Sequence, residues 1–125
     1  MSEIQPTEAE LAILRVLWTI RSGTVREVFD QLSQERNLGY TAVLKTMQIM
    51  TEKGLVLRDD RERAHIYRAN VSIEETERGL IDRFVDRFME GSADRLLLRA
   101  LESKKASKEE IAEIKKLIES WEKNP

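Results

Sequence analysis

Thr41, Lys45 and Gln48 are spaced four and then three residues apart, which on an α-helix places them on one face. Their chemistry suits the edges of DNA bases. Lysine donates to guanine, glutamine pairs with adenine through two hydrogen bonds, and threonine brings a hydroxyl together with a methyl that fits thymine. Val43, Met47 and Met50 fall on the opposite face at about 100° per residue, so the same helix carries a core stripe. Tyr40, just ahead of the three, can reach a phosphate or stack at a groove edge. A helix with one polar face is also what solvent alone requires, and both readings stay open on this stretch taken by itself.

A second group follows closely. Arg58, Arg61 and Arg63, with Arg68 beyond them, crowd a short segment that also holds Asp59, Asp60 and Glu62. Arginine in such a place suits phosphate contact or insertion into a narrow minor groove. The three acids offset much of that charge, as in any soluble turn. A polar helix face followed at once by arginines favours nucleic acid as the partner, specifically double-stranded DNA.

Other chemistry is thinly supported. The chain has 125 residues with no cysteine and a single histidine, His65, which excludes disulfides, thiolate metal sites and cysteine nucleophiles. No metal or cofactor is expected. Glu74-Glu75 and Glu109-Glu110 read as charges favoured at helix N-termini rather than as paired catalytic carboxylates, and the five glycines are scattered. The expectation is therefore a non-enzyme. Charged residues make up 35% and apolar residues 41%, the balance of a foldable helical chain. Net charge is −2, yet residues 40–70 hold six basic against four acidic side chains, so the basic excess is local. No apolar run is long enough to span a bilayer, and Met1–Pro6 lacks an apolar signal core. A cytoplasmic protein with no membrane insertion is expected.

The elements that must position these residues are announced by four capping boxes, Thr7…Glu10, Thr24…Glu27, Ser72…Glu75 and Ser107…Glu110. In each, a hydroxyl accepts from a first-turn amide while the glutamate reaches back to the cap. Apolar stripes follow at helical spacing: Leu11, Leu14, Leu17 and Trp18, then Val25, Val28, Phe29 and Leu32. A third helix is expected from Tyr40 or Thr41 to Lys53, with Gly54 as its left-handed stop. Leu55–Arg58 and His65–Ala69 are short, partly β-branched or aromatic, and flank the polar turn Asp59–Arg63, which predicts a hairpin with His65 opening its second strand. Three helices and a hairpin make a winged helix-turn-helix. The fold class is mainly α with a small β-hairpin, and a helical region follows.

Residues 1–71 form the expected DNA-binding domain and 72–125 a helical dimerisation domain. The helical part is too small to close its own core, and Leu80, Phe84, Val85, Phe88, Leu97, Leu101, Ile114, Leu117, Ile118 and Trp121 need a matching surface. A second copy supplies one, giving a two-fold homodimer. Folding back onto the winged part in a monomer is the alternative.

Taken together the chain resembles the penicillinase-repressor family of bacterial transcriptional regulators (BlaI/MecI/CopY type). The stretches that carry the resemblance are Thr7-Glu8-Ala9-Glu10-Leu11 with Leu17-Trp18, Tyr40 to Met47, Glu52-Lys53-Gly54-Leu55-Val56, and Tyr67-Arg68-Ala69 leading into Val71-Ser72. The similarity runs from about Thr7 to the last helix. It implies a homodimeric repressor on a palindromic operator, base reading by the third helix, backbone contacts from the wing and dimerisation through the C-terminal helices. In the β-lactam-responsive members a membrane sensor protease acts indirectly to trigger cleavage of the dimerisation region at an Asn-Phe bond. The matching position here is Arg99-Ala100. The copper-responsive branch senses through C-terminal cysteines, which this chain lacks. A winged-helix protein–protein module, and a regulator answering to a ligand bound near Phe84, Phe88 and Trp121, are the alternatives.

Overall fold

The computed structural model describes residues 5–103 and 106–124. Its element order is α1 (Glu8–Ile20), α2 (Val25–Leu32), α3 (Tyr40–Lys53), β1 (Val56–Asp59), β2 (Ile66–Ala69), α4 (Ile73–Phe88), α5 (Ala93–Ser103) and α6 (Lys108–Lys123). The chain divides into two compact units, the first ending at Ile81 and the second beginning at Asp82.

In the first unit each start signal does the work its residue types allow. Thr7, Thr24 and Ser72 each accept from the amide three residues on, at 3.2, 3.1 and 3.0 Å, and the partner glutamate accepts from the cap amide at 2.9, 2.9 and 3.1 Å. The first two helices so begun, with α3, bring together Ile13, Leu14 and Leu17 of α1, Val28 of α2, and Val43, Met47 and Met50 of α3, all buried. Burying each such side chain contributes about 1.5–3 kcal/mol, enough to set three short helices that would not persist alone. Gly54 ends α3 at φ 82°, a left-handed conformation that suits glycine, and its amide closes back on the Met50 and Thr51 carbonyls.

The hairpin pairs Val56 with Ala69, Leu57 with Arg68, Arg58 with Tyr67 and Asp59 with Ile66, antiparallel. Leu55, Val56 and Tyr67 enter the core. The second strand starts one residue later than expected, so His65 lies in the connection and not in the strand. Sequence reading missed a third, single-residue edge. The Gly23 amide donates to the Tyr67 carbonyl at 3.0 Å and the Tyr67 amide donates to the Gly23 carbonyl at 2.8 Å. Gly23 is buried there, and a Cβ on it would lie 2.8 Å from the Ile20 side chain. Trp18 Nε1 donates to the Val71 carbonyl at 2.9 Å, tying α1 to the segment that leads into α4.

The second unit holds the end of α4, then α5 and α6. Gly91 at φ 79° closes the α4 turn by donating to the Val85 carbonyl at 3.0 Å, and Ser107 caps α6 with Glu110. α5 extends to Ser103, and Lys104 and Lys105 lie outside the described residues. Among the described residues α5 and α6 bury none of their side chains. Among the described residues no helix is long and apolar enough to cross a membrane.

Candidate nucleic-acid interface

The inner face of α3 fixes what its outer face can do. Val43, Met47 and Met50 are 0–1% exposed, so the helix cannot rotate without opening the core. Thr41, Lys45 and Gln48 are accordingly exposed together on the other side, as their spacing predicts. Ala42 lies beside them, exposed, while Thr46 turns its hydroxyl inward to the Ala42 carbonyl at 2.8 Å.

The start of α3 differs from that of the other capped helices. α1, α2, α4 and α6 each begin with a Ser or Thr hydroxyl on their free amides, whereas α3 begins at Gly39 with no side-chain cap. The first-turn amides of α3 are therefore uncommitted to a side chain, and the positive end of the helix dipole stands with them. Tyr40, 37% exposed, packs edge-on against Phe29 of α2, with ring centroids 5.7 Å apart. The Arg26 guanidinium lies 4.6 Å from the centre of the Tyr40 ring and 5.6 Å from that of Phe29. Sequence reasoning missed Arg26, which looks like any exposed residue in the first turn of α2.

The wing arginines are tied more locally than the sequence suggests. Arg58 Nε lies 2.7 Å from Asp60, and Arg61 forks onto Asp59, with Nη2 at 2.7 Å and Nε at 3.0 Å. The Arg61 fork and its own amide hold the Asp59 carboxyl at about 2, well below the usual carboxylate value. Asp60, and after it the Tyr67 hydroxyl, raise Arg58. Arg58 and Arg61 thus reach a phosphate only by exchanging one anion for another, an inexpensive step for exposed pairs. Arg63 and Arg68 are exposed and make no ion pair among the described residues. His65 Nδ1 stands 3.7 Å from Asp60 and has no other acid or metal-ligating partner among the described residues.

At the C-terminal end of α3 lies an ion pair that the sequence did not announce. Glu10 is 3% exposed, and its two oxygens accept from Lys53 Nζ at 2.9 and 2.8 Å while one also accepts the Thr7 amide at 2.9 Å. Burial alone would push this carboxyl up. The Lys53 ammonium and the Thr7 donors outweigh it and hold Glu10 below the usual glutamate value. The pair locks the start of α1 to the end of α3.

In the second unit, Phe84, Phe88, Leu97, Leu101, Leu117, Ile118 and Trp121 are exposed, with Phe88 at 63% and Trp121 at 60%. Leu80 and Ile114 are half-buried and Val85 is buried within the single chain. Phe84 and Phe88 stack on each other with centroids 5.1 Å apart. Phe88 and Trp121 face solvent. Arg99 and Ala100 are exposed inside α5, and the Arg99 guanidinium pairs with Glu102 at 2.9 Å.

Comparison with known proteins agrees with this geometry. A family model described as penicillinase repressor matches residues 6–120. The chain is 25% identical over 115 residues to the penicillinase repressor of Bacillus licheniformis, covering 92% of this chain and 90% of that protein. It is 39% identical over 61 residues to the transcriptional regulator BlaI of Mycobacterium tuberculosis, a match that spans 48% of this chain and 44% of that one. Among solved structures, the DNA-binding domain of the repressor BlaI matches with a TM-score of 0.52 at 24% identity, covering 60% of this chain and 93% of that domain. The monomeric form of BlaI from Bacillus licheniformis, bound to the blaP half-operator, matches with the same TM-score of 0.52 at 22% identity, covering 59% and 90%. These structural likenesses establish the winged-helix fold.

Proposed function

This chain belongs to the penicillinase repressor family of DNA-binding transcriptional repressors, and we propose that it acts as a cytoplasmic homodimer on inverted-repeat operator DNA. The observation that carries the reading is α3, whose buried Val43, Met47 and Met50 oblige Thr41, Lys45 and Gln48 to face outward beside the wing. Those three read bases in the major groove. Tyr40, Arg58, Arg61 and Arg63 contact the backbone, the wing arginines by exchanging their carboxylates for phosphates.

Dimerisation falls to the helical region, residues 72–125, where the apolar side chains left exposed match the requirement of a two-fold interface. Two α3 helices in one dimer then meet half-sites about 10 bp apart, or a multiple of that spacing. Cleavage at Arg99-Ala100, once α5 opens locally to admit a protease, would part Leu101 and the whole of α6 from α4 and release the dimer from DNA. A sensor protease of the membrane would set that cut in motion indirectly.

The test is selection of genomic fragments by the purified full chain at near-physiological salt, each recovered site being titrated across salt. Recovery of inverted repeats is expected. Enrichment no better than random fragments would remove the operator reading and leave a winged-helix protein-interaction module.

A further inference from the structure

The cation at the entrance of α3 is not one of the wing arginines but Arg26. We propose that Arg26 is a DNA-backbone contact, and that Tyr40 positions it by serving as a stacking platform.

The Arg26 guanidinium carbon lies over the Tyr40 ring, 4.6 Å from its centre, and 5.6 Å from the centre of Phe29, the two rings meeting edge to face. Stacking restrains a guanidinium through its π face and uses none of its five N–H donors, which point outward in the plane. Among the described residues no carboxylate pairs with Arg26, whereas Arg58 and Arg61 have acids at 2.7 Å. Arg26 is therefore a positive charge held over two rings with no acid on its donors among the described residues, and its guanidinium can take the two oxygens of a phosphate.

Its position fits the same use. Tyr40 is the first residue of α3, so the stack sets the guanidinium beside the end of the helix that carries Thr41, Lys45 and Gln48. The α3 start has no side-chain cap. A strand backbone passing that end would meet the Arg26 fork from one side and uncommitted amides from the other. The aromatic pair also limits the rotamers of a long side chain, so less freedom is lost when the contact forms.

This inference rests on the DNA-binding reading above, and the experiment separates the two. The full chain, Arg26→Ala and Arg26→Lys are titrated with a short random-sequence duplex across a salt series, and again with a duplex recovered by selection. Tyr40→Ala and the double variant Arg26→Ala/Tyr40→Ala complete a cycle. Arg26→Ala is expected to lower the slope of log K against log salt by about 0.9, the value of one lost phosphate contact, on both duplexes alike. A residue that merely supports the fold would not move that slope. Arg26→Lys, which keeps the charge and loses the flat fork, is expected to restore the slope while recovering only part of the affinity. The loss in the double variant is expected to be smaller than the sum of the two single losses, because the ring, besides its own backbone contact, acts through the guanidinium. An unchanged slope in Arg26→Ala, with the parent chain binding normally, overturns the assignment and leaves the DNA reading intact. Strictly additive losses overturn the positioning role of Tyr40. No binding of either duplex by the parent chain overturns both readings together.

Discussion

The two units of this chain solve opposite problems with the same kind of helix. The winged unit closes on itself: α1, α2, α3 and the hairpin bury Ile13, Leu14, Leu17, Val28, Val43, Met47, Met50 and Tyr67 almost completely. The helical unit buries Val85 and leaves Phe84, Phe88, Leu97, Leu98, Leu101, Leu117 and Trp121 in solvent. Both have capped helices with apolar stripes, so local sequence signals do not distinguish them. The difference is whether a stripe finds its counterpart in the same chain. The closed unit presents a surface fixed by its own core, and the open one leaves apolar side chains that, on the proposed reading, a second copy covers.

The largest effect expected from breaking this contrast comes from placing a charge on the open face. Phe88→Glu with Leu117→Lys should abolish the dimer in sedimentation while leaving the winged unit's near-ultraviolet signal and melting intact. Affinity for an inverted repeat should fall by about 10²–10⁴-fold, because the second half-site contact ceases to be intramolecular. Next in size, Met47→Ala should destabilise the winged unit by about 2–5 kcal/mol in urea unfolding, since nothing in a closed core refills the space.

Smaller still is the effect of Glu10. Its carboxyl sits below the usual glutamate value when folded, so the stability it contributes is complete above the unfolded-state value and is lost as pH falls through the folded one. Unfolding followed by urea should show the wild type weakening in that acid window. Glu10→Gln should be flatter there and less stable at neutral pH by about 1–3 kcal/mol, because Lys53 is left half-exposed without its partner. Lys45→Ala should change stability least, within about 0.5 kcal/mol. It should nonetheless relax sequence preference by about 1–3 kcal/mol at the base it reads, measured by competition between single-base variants of a recovered site.

What was legible in the sequence was local. The four capping boxes, the Gly54 stop and the inward set Val43, Met47 and Met50 all follow from residue type and spacing, and the structure has each of them. The missed features join distant residues. Glu10 and Lys53 lie 43 positions apart, and Glu10 was already accounted for as the third residue of a capping box. Its second role shows only once α1 and α3 are packed. Gly23 follows α1 in sequence, and its pairing with Tyr67 requires the hairpin to return beside it. Arg26 and Tyr40 have no periodic relation in sequence and meet because α2 and α3 cross. For the wing, the sequence showed arginines and acids in equal reach, and only geometry shows that Arg58 and Arg61 are paired with Asp60 and Asp59.

On the dimeric reading, the open helical unit joins two winged units so that they read DNA together. The most direct test is the mass of the complex on a recovered inverted repeat compared with a duplex carrying one half-site. The account predicts two chains on the repeat with much tighter binding than on the half-site, and loss of that advantage when Phe88 and Leu117 carry charges. One chain on each duplex, bound with equal affinity, would contradict it.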